Sequence, residues 1–214
     1  MARTLDCAAL HPGYGLRPVS NYARPDPAAN TNEQVTTRVN IRKALDSELD
    51  SVLAVERDAF ESDVEAALVA ELLRDPTAQP TLSLLALQDG EPVGHVLFSK
   101  ARVEPETPLR LAILAPLAVA RRAQRQGIGG ALIRHGLEHL TQQGVAGVFV
   151  LGDPGYYTRH GFTPALPLGL AATHAIPPEY ADAWMVRQLH PDALRGLRGR
   201  VLCSEVLSRP EYWV

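Results

Sequence analysis

Val35, Thr37, Val39 and Ile41 alternate with polar neighbours, the period-two pattern of a strand with one buried face. Leu45, Leu49, Val52 and Leu53 then follow helical spacing, with Asp46 as N-cap candidate. A second helical stretch runs from about Ser62 to Arg74, with Val64, Leu68 and Leu72 in register. Asp75-Pro76 ends it, because a residue before proline is steered out of the helical region. TLSLLAL and PVGHVLFSKARV flank Asp89-Gly90, which predicts a hairpin. The run 109–119, LRLAILAPLAV, predicts a buried strand, but Pro116 has no N–H for the ladder. A bulge or splay is therefore expected at Ala115–Leu117. A helix follows over 127–143, with Ile128, Leu132, Leu137 and Leu140 inward and Gly144 at C′. AGVFVLGD reads as a strand, GYYTRHGF as a short segment, and AWMVRQL with GRVLCSEV as a closing hairpin. The order β-α-α-β-β-β-α-β-α-β-β predicts an α/β (α+β) fold, a mixed sheet with helices on both faces.

Composition changes the picture at one end only. Residues 1–34 hold Pro12, Pro18, Pro25 and Pro27, with little periodicity, and read as an extended or disordered arm. Leu16, Val19 and Tyr22 offer it docking points, on this domain or in a homodimer. A targeting peptide fits less well, because Asp6 and Asp26 break the acid-poor pattern. Residues 35–214 form one domain, long enough for a core without staples. The net charge of -3 argues against a nucleic-acid partner. No run approaches the ~18 apolar residues of a membrane span, and the N-terminus lacks a signal-peptide core. A cytoplasmic protein is the simplest expectation. Cys7 and Cys203 suggest neither a disulfide framework nor a metal site.

The chemistry concentrates in 117–132, LAVARRAQRQGIGGAL. It reads as strand end, basic glycine-containing loop and helix start. Unpaired amides at a helix N-terminus, together with its partial positive charge, make an anion site. A nucleoside-triphosphate loop would need Gly-Lys-Ser/Thr, which is missing. A dinucleotide fingerprint matches at Gly127 and Gly129 but has Leu132 in third place, with no βαβ unit before it.

The longer pattern Gln124-x-x-Gly127-x-Gly129, after Leu117-x-Val119 and before an aliphatic helix, resembles motif A of the GCN5-related N-acetyltransferases (GNAT). Tyr157-Thr158-Arg159-His160-Gly161-Phe162 resembles that superfamily's motif B. GHVLFS at 94–99, LAPLAV at 114–119 and LGDPGYYTRHGF at 151–162 are similar to one subgroup of small bacterial predicted N-acetyltransferases. The resemblance spans about residues 38–207.

It implies a GNAT fold of about six to seven strands in which the fourth splays from the fifth, leaving a gap for the pantetheine arm of acetyl-CoA. Leu117, Ala118 and Val119 would face that arm. Gln124, Arg125, Gln126, Gly127, Ile128, Gly129 and Gly130 would line the pyrophosphate. Arg122 and Arg125 would add attraction to phosphate, or stand as solvated surface arginines. Tyr157 holds the general-acid position and would touch the cofactor as well. Its unperturbed phenol, pKa ~10 against ~8.5 for a thiol, makes full proton transfer uphill by roughly 2 kcal/mol, so hydrogen bonding to the thiolate is the safer role. Tyr156 reads as structural.

The base is less visible. Glu56, Glu65 and His95 are candidates. Glu65, on the helix that borders the acceptor site in this fold, is assigned the role, although it reads more simply as an exposed helix glutamate. His95 reads more simply as a satisfied core histidine, and His160 as a surface residue. Asp153 stands where relatives often have asparagine, and with Pro154 caps a short helix. Cys203 reads as a small apolar residue rather than an acyl carrier. The reaction expected is direct acetyl transfer to a small-molecule or protein amine, without a metal. A non-catalytic CoA-binding or interaction module is the alternative.

Overall fold

The computed structural model describes residues 39–213. The expected arm, 1–34, and the strand positions Val35 and Thr37 lie outside them. The first strand, β1, is Val39–Lys43. A 3-10 turn at Asp46–Glu48 leads into α1, Leu49–Phe60. Asp46 is not the cap expected of it. Glu48 accepts the Leu45 N–H at 2.9 Å and is held there by Arg42 at 2.6 Å. Helix α2, Val64–Arg74, stops at Asp75. The Asp75 carboxylate caps the next turn through Thr77 N–H at 2.7 Å and reaches Val206 N–H at 3.1 Å, which ties α2 to the C-terminal segment.

Strands β2, Leu82–Gln88, and β3, Glu91–Glu104, form the expected hairpin. Asp89 and Gly90 both have positive φ, 52° and 88°, as a turn matched to strand twist requires. β4 is Leu111–Val119, α3 is Ile128–Gln142 and β5 is Gly147–Leu151. A single turn of helix, α4, covers Pro154–Tyr157. Four short strands close the chain: β6, Thr163–Pro164; β7, Leu170–Ala171; β8, Trp184–Gln188; and β9, Gly199–Leu202.

The sheet runs β1-β2-β3-β4-β5-β8-β6. Only β4 and β5 in that path are parallel. The closing hairpin expected of β8 and β9 does not form. β8 pairs with β5 and β6, whereas β9 pairs with β7 and with Arg102–Glu104 of β3. The long β3 outruns its partners and leaves an open edge at 102–104, which β9 takes. Satisfying that edge outweighs the tendency of consecutive strands to pair.

Helices α1 and α2 cover one face, over Leu85, Leu97, Ile113 and Phe149. Helix α3 covers the other, over Leu84, Val96, Phe98, Ala112 and Val148. Phe149 also stacks on Trp184, with ring centroids 5.3 Å apart. Among the described residues, no helix is long and apolar enough to cross a membrane.

Helix α3 approaches the sheet through Gly136, where a Cβ would fall inside the enclosed Phe98 ring. Overpacking costs about 1–3 kcal/mol, against roughly 1 kcal/mol gained by removing a mid-helix glycine. Because the added Cβ would overlap the Phe98 ring itself, Gly136→Ala is expected to lower the midpoint of urea unfolding. A raised midpoint would show that the ring yields.

Candidate functional site

The site begins where β4 loses a neighbour. β4 and β5 pair at Leu111–Gly147, Ala112–Val148 and Ile113–Phe149, and no further. On its other side, β4 shifts register against β3 between Phe98–Leu114 and Val96–Leu117. That irregularity brackets Ala115 and Pro116, where the sequence placed it. Beyond it, Leu117, Ala118 and Val119 pair only with β3, opposite Val96, His95 and Gly94.

The chain then turns through Arg121–Ala123. Arg121 N–H donates to Asp58 at 2.8 Å and its guanidinium pairs with Glu61, so the end of α1 is fastened to the start of the loop. Gln124 donates its side-chain amide to Val119 O at 3.1 Å and covers the free end of β4. Its N–H bonds to Arg121 O at 3.4 Å. Gln126 links the loop to Gln88 at 3.2 Å. Arg125 and Gly127 both take positive φ, 62° and 82°. A non-glycine residue there is uncommon, and alternating hands of backbone point successive amides to one side.

Among the described residues, the N–H groups of residues 125–130 have no acceptor. The first N–H that does bond back is that of Ala131, to Gly127 O at 3.0 Å. These amides, at the positive end of a helix of 15 residues, can hold an anion. Arg122 and Arg125 are exposed beside them.

Gly129 has a second role. A Cβ there would lie 2.6 Å from the Tyr156 hydroxyl and near Val119 and Leu117. Tyr156, expected to be structural, thus reaches the loop itself. Its proximity follows from packing between α3 and α4, which spacing in sequence does not reveal. Asp153 caps α4 through Gly155 N–H at 2.8 Å, as expected. Tyr157 is buried, edge-on to Tyr156 at 5.2 Å and to Phe162 at 5.6 Å. Ile128, Leu117, Val119, Tyr156 and Tyr157 belong to one cluster, on the α3 side.

The candidate bases lie on the opposite face. Glu65 is not the exposed glutamate of the simpler expectation: it is 7% exposed. It stands three, four and seven positions before Leu68, Val69 and Leu72, on the face of α2 that packs inward. Glu56 is fully buried, and its Oε1 lies 2.5 Å from His95 Nδ1. His95 Nε2 lies 2.9 Å from Ser83 Oγ. His95 is therefore a satisfied core histidine, held by partners that are distant in sequence. Glu56 Oε2 and Glu65 Oε2 are buried with no hydrogen-bond partner among the described residues. Burial pushes the Glu56 carboxyl above its ordinary value; His95 opposes this and the Glu65 charge adds to it.

The structure thus separates Tyr157 from Glu65, with the unpaired edge of β4 between the two layers. Ala118 points to the Glu56 side, directly opposite His95. Cys203 is buried, and burial pushes its thiol up to about 12. A buried thiol held protonated is a poor nucleophile, in keeping with its reading as a small apolar residue. Among the described residues, no group of His, Cys, Asp and Glu is placed to hold a metal ion.

Known proteins share this fold. The acetyltransferase (GNAT) family model matches residues 49–162. The uncharacterized N-acetyltransferase YjhQ of Escherichia coli K12 is 45% identical over 162 residues, 74% of this chain and 88% of YjhQ. The uncharacterized N-acetyltransferase YhbS of the same strain is 38% identical over 173 residues, 79% of this chain and 98% of YhbS. The crystal structure of E. coli YhbS in complex with CoA superposes with a TM-score of 0.73 at 34% identity, over 87% of this chain and 97% of that one. A GNAT family acetyltransferase from Brucella melitensis, in complex with acetyl-CoA, gives 0.63 at 29% identity, over 80% and 99%. With the broken β4, the amide-lined loop and the α4 tyrosines all inside the matched span, the chain belongs to the GNAT acetyltransferase family.

Proposed function

We propose that this chain transfers an acetyl group from acetyl-CoA to a primary amine by direct attack in a ternary complex. The observation that carries this reading is the run of unpaired amides at residues 125–130, set at the end of a strand that has lost one neighbour. In this reading the backbone of Leu117, Ala118 and Val119 faces the pantetheine arm along the open edge. The amides of residues 125–130, including Ile128, Gly129 and Gly130, receive the pyrophosphate, while Gln124 and Gln126 hold the loop in shape. The exposed Arg122 and Arg125 add screened attraction. The CoA and acetyl-CoA complexes of the two structural relatives support the assignment.

The remaining chemistry concerns protons. A lysine-like amine of pKa about 10.4 is neutral in only about one molecule in 2,500 at pH 7. It must lose a proton before attack. We assign that step to Glu65, assisted by the Glu56–His95 pair, because Glu56 Oε2 and Glu65 Oε2 are buried with no hydrogen-bond partner among the described residues. Tyr157, on the other face, would donate a hydrogen bond to the departing sulfur. The ammonium proton then leaves through one layer while the thiolate is stabilised from the other. Buried carboxylates favour an acceptor that arrives as a cation, whether a small amine or a protein amine.

Calorimetry on two variants tests the donor site. Gly127 tolerates only residues that accept positive φ, and nothing lies within 4 Å of its Cβ position. Asn and Asp both enter that region and differ only in charge. Gly127→Asp is expected to weaken acetyl-CoA binding by about tenfold or more relative to Gly127→Asn, the scale of one charged contact. Equal affinities would remove the loop from the pyrophosphate site, and no acetyl-CoA binding by the native chain would end the proposal.

Thiol release across an amine panel tests the acceptor side. Tyr157→Phe should lower turnover by about a hundredfold with acetyl-CoA affinity nearly unchanged. Equal turnover in both forms would exclude Tyr157. Glu65→Gln should likewise depress turnover, more at low pH than at high pH, where more of the amine is already neutral.

Glu56 also makes a prediction about stability. Its folded-state pKa is raised, so between the unfolded-state and folded-state values the native state holds a proton that the unfolded chain has released. Its contribution is complete below the ordinary carboxylate range and is lost as pH rises through the folded-state value. Glu56→Gln keeps a hydrogen-bonding group there but cannot ionise, and should flatten the decline in unfolding free energy above about pH 4.5. An unchanged slope in urea unfolding across that range would refute the assignment.

A further inference from the structure

A groove opens beside the amide-lined loop, between α3 and the turn after α4. Arg134 of α3, Arg159 and His160 after α4, and Arg187 of β8 all line it. Glu138 is the one carboxylate among its described lining residues. Three guanidinium groups against one carboxylate make the groove strongly cationic, in a chain whose net charge is -3.

The groove is continuous with the loop. A Cβ on Gly130 would meet His160 Cε1 at 2.9 Å and Arg134 Nη1 at 3.6 Å. Gly130 is the last of the residues with an unpaired N–H, and Arg134 stands one helical turn further along the same face. The cations are also pre-positioned. Arg187 donates to His160 O, and the Arg159 guanidinium lies 5.2 Å from the Tyr156 ring centroid. Fixing an arginine before a ligand arrives lowers the entropy lost on binding. Burial, then Arg159, Arg134 and Arg187, holds His160 below its ordinary value, so the fields of all three arginines meet at one ring.

None of the three forms an ion pair with a carboxylate among the described residues. Arg121, at the loop itself, is by contrast engaged by Glu61. Beside the exposed Arg122 and Arg125 of the loop, a second group of unneutralised cations therefore sits beyond the pyrophosphate cradle. CoA carries a second anionic group at that end of the molecule: the 3′-phosphate on its ribose, separated from the pyrophosphate by the sugar.

We propose that Arg134, Arg159 and Arg187 form a subsite for the ribose 3′-phosphate of the acyl donor, so that this chain distinguishes CoA from 3′-dephospho-CoA. The subsite rests on the donor-site reading above. Arg134 and Arg159 reach the phosphate from opposite walls of the groove, and Arg187 holds the His160 backbone that forms its floor. Phosphate on guanidinium gives short charge-assisted hydrogen bonds, often paired, which a surface of scattered lysines does not provide. Glu138 raises selectivity by repelling anions that lack arginine contacts.

The test is calorimetric titration of the full chain with CoA and with 3′-dephospho-CoA. The native protein should bind CoA about tenfold or more tightly, the scale of a charge-assisted hydrogen bond. The double variant Arg134→Ala/Arg159→Ala alters two exposed side chains; thermal melting checks that it folds. It should bind CoA no better than dephospho-CoA, with its affinity for dephospho-CoA unchanged. Equal affinity of the native protein for both ligands would overturn the subsite while leaving the donor site standing. An equal loss for both ligands in the variant would overturn it too. Binding of neither ligand to the native protein would remove the donor site and the subsite together.

Discussion

The interaction on which this molecule turns is one that stops. β4 and β5 are parallel neighbours for three register positions, ending at Ile113 and Phe149. Past that point a central strand has an open edge in the interior of a sheet, where unpaired backbone groups are costly. The fold meets the cost locally. Pro116 contributes no N–H to be satisfied, the register shift re-aims 117–119, and the Gln124 side chain takes the Val119 carbonyl. What stays open is the β5-side edge of β4 beyond Ile113, which leads to the N-terminus of α3.

The sheet at this edge separates two chemical environments. The α3 side is aromatic and aliphatic around Tyr156, Tyr157, Leu117 and Val119. The α1–α2 side holds Glu56, Glu65 and His95, all at least nine-tenths buried. A buried polar atom without a partner costs about 1–3 kcal/mol, more when charged. Two orphaned carboxylate oxygens in one layer are hard to explain by packing alone, since apolar residues of similar volume would be more stable there. Retention of such a feature is expected where a group must exchange protons rather than merely fill space. The Glu56–His95–Ser83 chain adds a direction, because it begins at a fully buried carboxylate and ends at a half-buried hydroxyl on β2.

Local chemistry made much of this legible in the sequence. Asp89-Gly90 demands one turn type, Pro116 forbids an unbroken ladder, and the Gln124–Gly129 pattern needs a strand before it and a helix after it. The helices α1 to α3 follow from the spacing of their apolar residues, although Leu45 precedes α1 and Val64 of α2 is exposed. Features that depend on distant partners were not legible. Nothing in GRVLCSEV shows that β9 pairs with the overhang of β3 rather than with β8. Glu65 looks exposed because it is a charged residue beside Asp63 in the first turn of α2; only the docking of α2 buries it. His95 could be assigned to the α1–α2 layer, since it alternates with Leu97, but its partner Glu56 lies 39 residues away. Arg125 gives no sign in its residue type of a left-handed backbone.

The two loop glycines show how unlike physical demands can share one motif. Gly127 is required by its backbone: φ is 82° and its side-chain space is empty. Gly129 is required by its surroundings: it sits within α3, where any residue could adopt the backbone, yet a Cβ would strike the Tyr156 hydroxyl. A substitution at Gly129 therefore displaces Tyr156, and with it the ring on which Arg159 rests, before it affects any amide. Loss of binding there would report on the loop and the arginine groove together. A substitution at Gly127 that respects the left-handed backbone acts on the loop alone. The motif reads as a single anion cradle in sequence, but in the fold it is a backbone device at Gly127 and a packing device at Gly129. The packing device couples the cradle to α4, and so places the tyrosines and the arginines in register with it.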